Sequence, residues 1–222
     1  MVTLLLTALL SLTPAKNLTP AQKLTPAGKP APDSVRVLFI YGSYPAKGYK
    51  KTERKWFGGI YGGHTALEIA PDSVLSFRST EYPCHFFPHR HFSSIWEMKT
   101  VYRMWETFPP HNYKVEDLKR VVFTIPVTTA QRYKIDSLAR RYLHKTPYDY
   151  AVTGMRCASA TYEVLAKAGL FKEYGASTWW IILTPKDLRT ILFKKARSHE
   201  GESWKVYQYP GSKRRVWEKD NG

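Results

Sequence analysis

The sequence predicts an α+β fold in which an antiparallel sheet packs against a few helices. A run of β-branched and aromatic residues from Val35 to Tyr41 ends at Gly42-Ser43 and is typical of a strand. A helix capped by Thr128 or Thr129 carries an apolar stripe at i, i+3, i+4, i+7 and i+8. The stripe consists of Ile135, Leu138, Ala139, Tyr142 and Leu143. A second helix runs from about Cys157 to Ala168, and Gly169 ends it.

A strand-turn-strand unit is predicted around His64. Residues His64 to Ile69 alternate, so neighbouring side chains point to opposite faces of the strand. Thr65, Leu67 and Ile69 share one face, and His64, Ala66 and Glu68 share the other. Val74 to Arg78 is the antiparallel partner, and Pro71-Asp72 makes the turn.

The remaining elements are predicted from local signals. Residues Trp96 to Trp105 and Leu118 to Ile125 favour strands, and Thr184-Pro185 opens a third helix. The tail predicts a hairpin with strands at 206–209 and 213–217 around a Pro210-Gly211 turn. That hairpin is basic and aromatic, a pattern found in single-stranded nucleic-acid and glycan binders. An edge hairpin with a solvated charged face is the simpler interpretation.

The first 33 residues are predicted to lie outside the folded domain. Residues 1–15 resemble a secretory signal, because Val2 to Leu12 is an apolar run with six leucines that is too short to span a bilayer. The alternative is a buried N-terminal element, since no Lys or Arg precedes the run. Residues 16–33 form a linker in a Leu-Thr-Pro-Ala repeat region, and residues 34–222 form one domain. The mature chain is therefore expected to be exported, periplasmic or secreted, without a transmembrane segment.

The charge balance favours an anionic partner. The 222 residues include 34 Lys and Arg against 18 Asp and Glu, a net charge of +16. Such a charge suits nucleic acid, acidic lipid or an anionic cell-wall polymer. No nucleic-acid partner is expected for an exported protein. Two cysteines, Cys84 and Cys157, are too few for a disulfide scaffold, although they allow one bridge between them.

Three loops carry notable side chains. The glycine cluster at 57–63 matches neither a phosphate loop nor a dinucleotide fingerprint. The loop from Tyr44 to Lys55 is basic and is either a solvated surface or a lip that gathers an anionic substrate. Residues 81–91 gather one cysteine and three histidines, but their spacing matches no common metal motif, so an ordinary surface loop is favoured over a metal site. These four residues are Cys84, His85, His89 and His91.

Cys157 and His64 are the candidate catalytic pair. Cys157 stands at a helix start, and His64 stands on a strand. The thiolate is the reactive form of cysteine, and a helix N-terminus or a nearby imidazolium lowers the pKa of a thiol. The structural alternative is that Cys157 is a buried core residue, because it shares a helical stripe with Ala160, Val164 and Ala168.

The two motifs resemble those of the permuted papain-like cysteine hydrolases. The motifs are Gly-His-Thr-Ala-Leu-Glu at 63–68 and Tyr-Asp-Tyr at 148–150, followed by Cys157 and Gly169. This superfamily includes NlpC-type peptidases, lecithin:retinol acyltransferase-like proteins and uncharacterised exported bacterial domains, and in the permuted branch the histidine comes first. The resemblance covers about 35–192 and implies a circularly permuted, NlpC-type antiparallel sheet.

The resemblance assigns roles to individual residues. Cys157 would be the nucleophile and His64 the base. The third polar group would come from the strand after His64, where Ser76 and Arg78 are available. Tyr148 or Tyr150 matches the tyrosine that precedes the nucleophile. Arg156 stands where relatives carry Asn or Asp, and its charge would favour the thiolate.

Two functions follow from this assignment. The first is an exported cysteine hydrolase or acyl-transfer enzyme, which acts on an amide or ester such as a peptidoglycan stem peptide and needs no cofactor or metal. It requires the Cys157 thiol close to the His64 ring in an open groove. The second is an inactive papain-like module that binds an anionic envelope polymer. It requires a buried or blocked thiol and a continuous basic face.

Overall fold

The described part of the protein contains a six-stranded antiparallel sheet, a two-stranded sheet and four helices, which confirms the α+β class. The computed structural model describes residues 33–53, 63–81, 83–89, 93–106, 114–173, 175, 184–198 and 203–220. The strands are β1 Ser34–Ile40, β2 Ser43–Pro45, β3 His64–Ala70, β4 Ser73–Ser79, β5 Ser94–Lys99, β6 Arg120–Pro126, β7 Lys205–Tyr209 and β8 Arg215–Trp217. The helices are α1 Val101–Trp105, α2 Thr129–His144, α3 Cys157–Lys167 and α4 Pro185–Arg197, with a 3-10 turn at Val115–Asp117.

The predicted signal segment at 1–15 and the linker up to residue 32 lie outside the described residues. Among the helices that are described, none has both the length and the apolar composition needed to cross a membrane.

The main sheet has the strand order β5-β4-β3-β1-β6-β7 and is covered on both faces. Central strand β1 is buried along its whole length. Its residues Val35, Val37 and Phe39 pack with α2, α3 and α4 in one core cluster. Leu38 and Ile40 point the other way and pack with α1 in a second cluster. We call these sides the α3 face and the α1 face.

The turn between β3 and β4 forms as predicted. Asp72 has a φ of 57°, a left-handed conformation that Asp tolerates in tight turns. The two strands pair from Leu67–Leu75 to Ala70–Ser73. Residues 64–66 at the start of β3 lie beyond this paired stretch, where β3 keeps its pairing with β1.

The helix starts also follow the sequence signals. Thr128 caps α2 and Thr184 caps α4, each through its side-chain oxygen, with Pro185 at the first position of α4. On α2 the stripe is buried at its centre, whereas Leu143 is partly exposed. Helix α3 is buried on every side from Cys157 to Ala166, as expected for the central helix of a layer.

Two predicted elements differ in the structure. Residues 96–105 are not one strand, because β5 ends at Lys99 and Thr100 caps the short helix α1. The tail is not a hairpin either, because β7 joins β6 at the edge of the main sheet while β8 pairs with β2. Arg215 explains the second difference, since its guanidinium is buried against Ser43 and Glu53 and holds β8 on β2.

Gly211 is required where the tail passes the 3-10 turn. Its φ is +72°, and a β-carbon there would overlap the backbone of Leu118 and Lys119. Gly48 also has a positive φ, of +96°, but has open space around it. We expect Gly48→Ala to cost about 1–2 kcal/mol for its backbone conformation alone. Gly211→Ala should cost about 1–3 kcal/mol more, because the backbone must shift.

Urea unfolding of both glycine variants measures the two costs. Equal losses of stability would show that the close approach of Gly211 to Lys119 is unimportant.

Candidate active site

His64 begins β3 and lies on the α1 face of the sheet. Its backbone pairs with Ile40, a member of the α1-face core, so its side chain points toward that face. Gly63 before it has a φ of +64°, and a β-carbon there would overlap the Ile40 carbonyl. The histidine is only 2% exposed, and its Nε2 lies 3.1 Å from Ser76 Oγ. Ser76, which the sequence offered as the third polar group, is therefore a hydrogen-bond partner of the imidazole.

The surroundings of His64 keep its ring neutral. Burial is the main cause that lowers its pKa from 6.5 to about 3, and the nearby Lys99 ammonium lowers it further. Glu97 opposes this effect, but its carboxylate is shared with Lys99 at 2.8 Å and Arg78 at 2.6 Å. A neutral imidazole can accept a proton, although a pKa this low makes it a weak base.

Cys157 is the first residue of α3 and lies on the α3 face. The Tyr150 hydroxyl donates to Sγ at 4.0 Å, and the backbone N–H groups of Thr65 and Ala158 lie near enough to the sulfur to favour its thiolate form. The side chain is 3% exposed. Burial raises the pKa of the thiol and outweighs the opposite effects of these donors and of Arg156. The helix start therefore does not produce a resting thiolate.

The thiol of Cys157 lies beside Thr65 of β3, and the imidazole belongs to the preceding residue, His64. The backbone N–H of Thr65 lies near the sulfur. Because side chains alternate along a strand, Thr65 shares the α3 face with Cys157 while His64 points to the α1 face. The charged groups that shift the His64 pKa, Lys99 and Glu97, belong to β5. The two candidate residues thus approach the same point of β3 from opposite faces.

Of the two candidate tyrosines, Tyr150 is the one at the sulfur. Its hydroxyl has a strongly raised pKa because it is buried and lies beside the Cys157 thiol. Tyr148 instead packs against Phe77 and Tyr142, with ring centroids 5.2 and 6.0 Å apart. Burial and the nearby Glu163 carboxylate raise its pKa as well. Tyr148 therefore belongs to the aromatic packing beneath the start of α3.

Asp149 is a buried residue that was not predicted as a site residue from the sequence. Its carboxylate accepts hydrogen bonds from the backbone N–H groups of His89 and Ser93, and from Ser93 Oγ at 3.0 Å. These contacts fix His89 and Ser93 to the segment that leads into Cys157. The central position of Asp149 in the Tyr-Asp-Tyr motif was the available signal.

The loop that carries Cys84, His85 and His89 packs on the segment before Cys157. His85 O accepts from Val152 N at 2.9 Å, and the His85 and His89 rings lie 3.8 Å apart. His85 also contacts Glu81, while His91 lies outside the described residues. Within the described ranges no group of three potential ligands is placed to hold a metal ion. Cys84 and Cys157 are both free thiols.

The basic loop is described as far as Glu53. Lys47, Lys50 and Lys51 are exposed, while Arg54 and Lys55 lie outside the described residues. Glu53 does not neutralise these lysines, because its carboxylate binds Arg214 at 2.6 Å and Arg215 at 3.0 Å. This part of the surface is therefore positively charged.

Comparison with protein-family models, with curated proteins and with solved structures finds no match to this chain.

Proposed function

We propose that this protein is an exported cysteine hydrolase or acyl-transfer enzyme of the permuted papain-like type, with Cys157 as its nucleophile. The observation that carries the proposal is the position of the sulfur. It lies at the start of α3, near backbone N–H groups of both the helix and β3. Such donors favour negative charge, whether on a thiolate or on the oxygen of a reacting carbonyl.

The proposed reaction begins with a neutral pair. The Cys157 thiol gives up its proton as the sulfur attacks an amide or ester carbonyl, and the leaving group departs from the acyl-enzyme. Water, or a second acceptor in acyl transfer, then takes the acyl group. His64 is the candidate base, oriented by Ser76. Direct proton transfer requires the imidazole to leave Ser76 on the α1 face and His64 to give up its backbone pairing with Ile40.

The proposed substrate class rests on the net charge and on the predicted export of the chain. A net charge of +16 and the exposed lysines of the basic loop suit an anionic polymer of the cell envelope. Peptidoglycan carries both amide bonds and anionic groups. We propose its stem peptides, or another envelope amide or ester, as the substrate.

Acylation of Cys157 tests the proposal. We expect p-nitrophenyl acetate to release one equivalent of p-nitrophenolate from a Cys84→Ser protein, and mass spectrometry of the digest to locate the acetyl group on Cys157. Cys157→Ala should lose both signals. A Cys157 peptide that stays unmodified while the ester is consumed would contradict the enzyme proposal.

The pH dependence of thiol alkylation should reflect burial of the sulfur. Because burial raises its pKa, we expect iodoacetamide to label Cys157 with a midpoint above the roughly 8.5 of a free cysteine. Measured in the Cys84→Ser protein, the labelling rate should stay low at pH 7 and rise only at a more alkaline pH than that of a free thiol. A midpoint below 8.5 that rises in His64→Ala would instead establish a resting thiolate–imidazolium pair.

The buried thiol also supports the second candidate, a binding module for an anionic envelope polymer. Such a module uses surface charge and has no need of the Cys157 sulfur. It predicts that purified peptidoglycan retains the protein at low salt, releases it at high salt, and retains Cys157→Ala equally well. Retention together with an unreactive Cys157 would favour this function over the enzyme.

A further inference from the structure

Residues 218–220, which we call the acidic segment, supply both carboxylates that bind the buried Arg189. The arginine is 0% exposed and lies on α4. Its Nε lies 2.5 Å from Asp220 Oδ1, and its Nη2 lies 2.9 Å from Glu218 Oε1. Its third nitrogen, Nη1, is buried and has no hydrogen-bond partner among the described residues. The tail of the chain therefore fills a cavity that the arginine makes positive.

The other groups around these two carboxylates are donors from the body of the domain. The Tyr41 hydroxyl donates to Asp220 Oδ2 at 2.6 Å, and the Gly42 N–H donates to Glu218 Oε1 at 3.0 Å. Lys119 Nζ lies 3.5 Å from the Glu218 carbonyl oxygen and 4.1 Å from the centre of the Tyr41 ring. Tyr41 and Gly42 follow β1, and Lys119 precedes β6. The body of the domain thus presents donors and positive charge, and the acidic segment presents the acceptors.

The acidic segment uses these donors incompletely. A guanidinium binds a carboxylate most firmly when two of its nitrogens donate in parallel to the two oxygens of that carboxylate. Here Nε and Nη2 of Arg189 are divided between two carboxylates, and Nη1 is unused. Glu218 Oε2 is also buried without a hydrogen-bond partner among the described residues, and burial raises the pKa of this carboxyl. Buried charged groups with unused hydrogen-bonding capacity call for an explanation, and a site shaped for another anion is one.

The acidic segment is free to leave while the strand before it stays in place. Strand β8 pairs with β2, and the buried Arg215 binds Ser43 and Glu53. Beyond β8, the backbone of the acidic segment is tied to the domain by the Glu218 N–H, which donates to the Gly42 carbonyl at 3.0 Å. Lys219, between the two carboxylates, is exposed. Release of the segment therefore requires a local change and leaves β8 paired.

We propose that the donors around the acidic segment form a binding site for a ligand with two carboxylates, and that the segment is an internal occupant which this ligand displaces. The donors are the Arg189 guanidinium, the Lys119 ammonium, the Tyr41 hydroxyl and the Gly42 N–H. The ligand class follows from the occupant, which brings two carboxylates into one cavity. The inference goes beyond the proposed function, because none of these donors takes part in the proposed reaction of Cys157.

Hydrogen exchange of the wild-type protein tests the displacement. The Glu218 N–H is bonded to Gly42, so its exchange rate reports whether the segment is docked. With saturating succinate as the probe, we expect the peptide that contains Glu218 to exchange about 10-fold faster than in sodium chloride of equal ionic strength. Peptides from β1 and β6 should keep their rates. Unchanged or slower exchange at Glu218 would overturn the inference, since a ligand that binds without displacing the segment gives that result.

Removal of the internal occupant's charge should strengthen ligand binding. The double substitution Glu218→Gln and Asp220→Asn keeps the shape of the acidic segment and removes both carboxylates. We expect succinate to bind this variant about 10-fold more tightly than wild type in isothermal titration calorimetry, because the wild-type protein must first release its own carboxylates. Equal affinities would show that succinate does not compete with the segment, which would overturn the inference.

A third variant locates the bound succinate. Addition of Arg189→Met to the double substitution removes the whole buried ion network, a change that folded proteins often tolerate. This variant should not bind succinate, and binding as tight as in the double variant would overturn the inference. If the double variant fails to fold, the exchange of the wild-type protein decides. These readouts do not involve the Cys157 thiol, so their failure leaves the proposed function standing, and failure of Cys157 acylation leaves this inference standing.

Discussion

Replacement of His64 by glutamine is expected to remove a large acid-dependent loss of stability. His64 is neutral in the folded protein because burial lowers its pKa to about 3, against 6.5 in an exposed state. Below pH 6.5 the unfolded chain binds a proton at this residue that the folded chain does not. The contribution of neutral His64 to the free energy of unfolding is therefore fully present above pH 6.5. It is lost as the pH falls toward 3, by roughly 1.4 kcal/mol per pH unit. The whole window corresponds to about 4–5 kcal/mol.

Urea unfolding at several pH values between 7 and 4 measures this effect in wild type and in His64→Gln. The comparison uses the slopes of the free energy of unfolding against pH, so a constant cost of the substitution cancels. Carboxylate titration is common to both proteins and cancels as well. His144→Gln is the matched control, since His144 is exposed on α2 and its variant should follow the wild-type slope. Parallel profiles for wild type and His64→Gln would show that His64 is not held neutral.

Replacement of Arg189 by alanine should destabilise the protein by about 3–5 kcal/mol, because it leaves buried acidic groups without their counter-charge. Arg189 is 0% exposed on α4 and binds Glu218 at 2.9 Å and Asp220 at 2.5 Å. Its guanidinium also stacks 3.7 Å from the centre of the Tyr41 ring. Burial raises the pKa of Glu218, and Arg189 is the main group that opposes this rise.

The pH dependence of the Arg189→Ala effect follows from Glu218. Without the guanidinium, the pKa of Glu218 rises further, so the carboxyl takes up a proton as the pH falls and the buried charge disappears. The loss of stability should therefore be larger at pH 8 than at pH 5.5. Lys194→Ala on the exposed side of α4 is the control and should change stability by less than about 0.5 kcal/mol. An equal loss at both pH values would mean that Glu218 stays ionised without its partner.

The parts of the fold that depend on local signals were predictable. Threonine caps set the starts of α2 and α4, and Pro71-Asp72 set the turn between β3 and β4. These features depend on residues within one turn of each other, so a single sequence contains the information. The alternation of β3 was also predictable.

Which face of β3 is covered by α3 depends on contacts between residues far apart in the sequence, so the sequence did not predict it. The sequence assigned His64 and Thr65 to opposite faces, but the resemblance placed His64 beside Cys157. In the structure, α3 covers the face with Leu67 and Ile69, which offers more apolar area than the face with Ala66 and Glu68. Glu68 was a usable signal, because a charged residue there needs its own partner. It finds that partner in Arg36, within the α1-face layer.

Strand partners in the tail could not be predicted either. A Pro-Gly turn between two aromatic strands favours a hairpin locally, but the buried contacts of Arg215 with Ser43 and Glu53 outweigh it. Arginine is rarely fully buried, so its sequence position predicts a surface residue. The acidic group that makes its burial possible lies 162 residues away.

The docking of residues 215–220 also has a consequence for the rate of unfolding. Tyr41 and Asp220 are 179 residues apart in the chain, and Ser43 and Arg215 are 172 apart. Closing such long loops costs entropy before any contact is gained, so these contacts should form late in folding. Interactions absent from the transition state act on the unfolding rate. Weakening the contacts of this segment should therefore speed unfolding while leaving the refolding rate nearly unchanged. The segment would then set the lifetime of the native state.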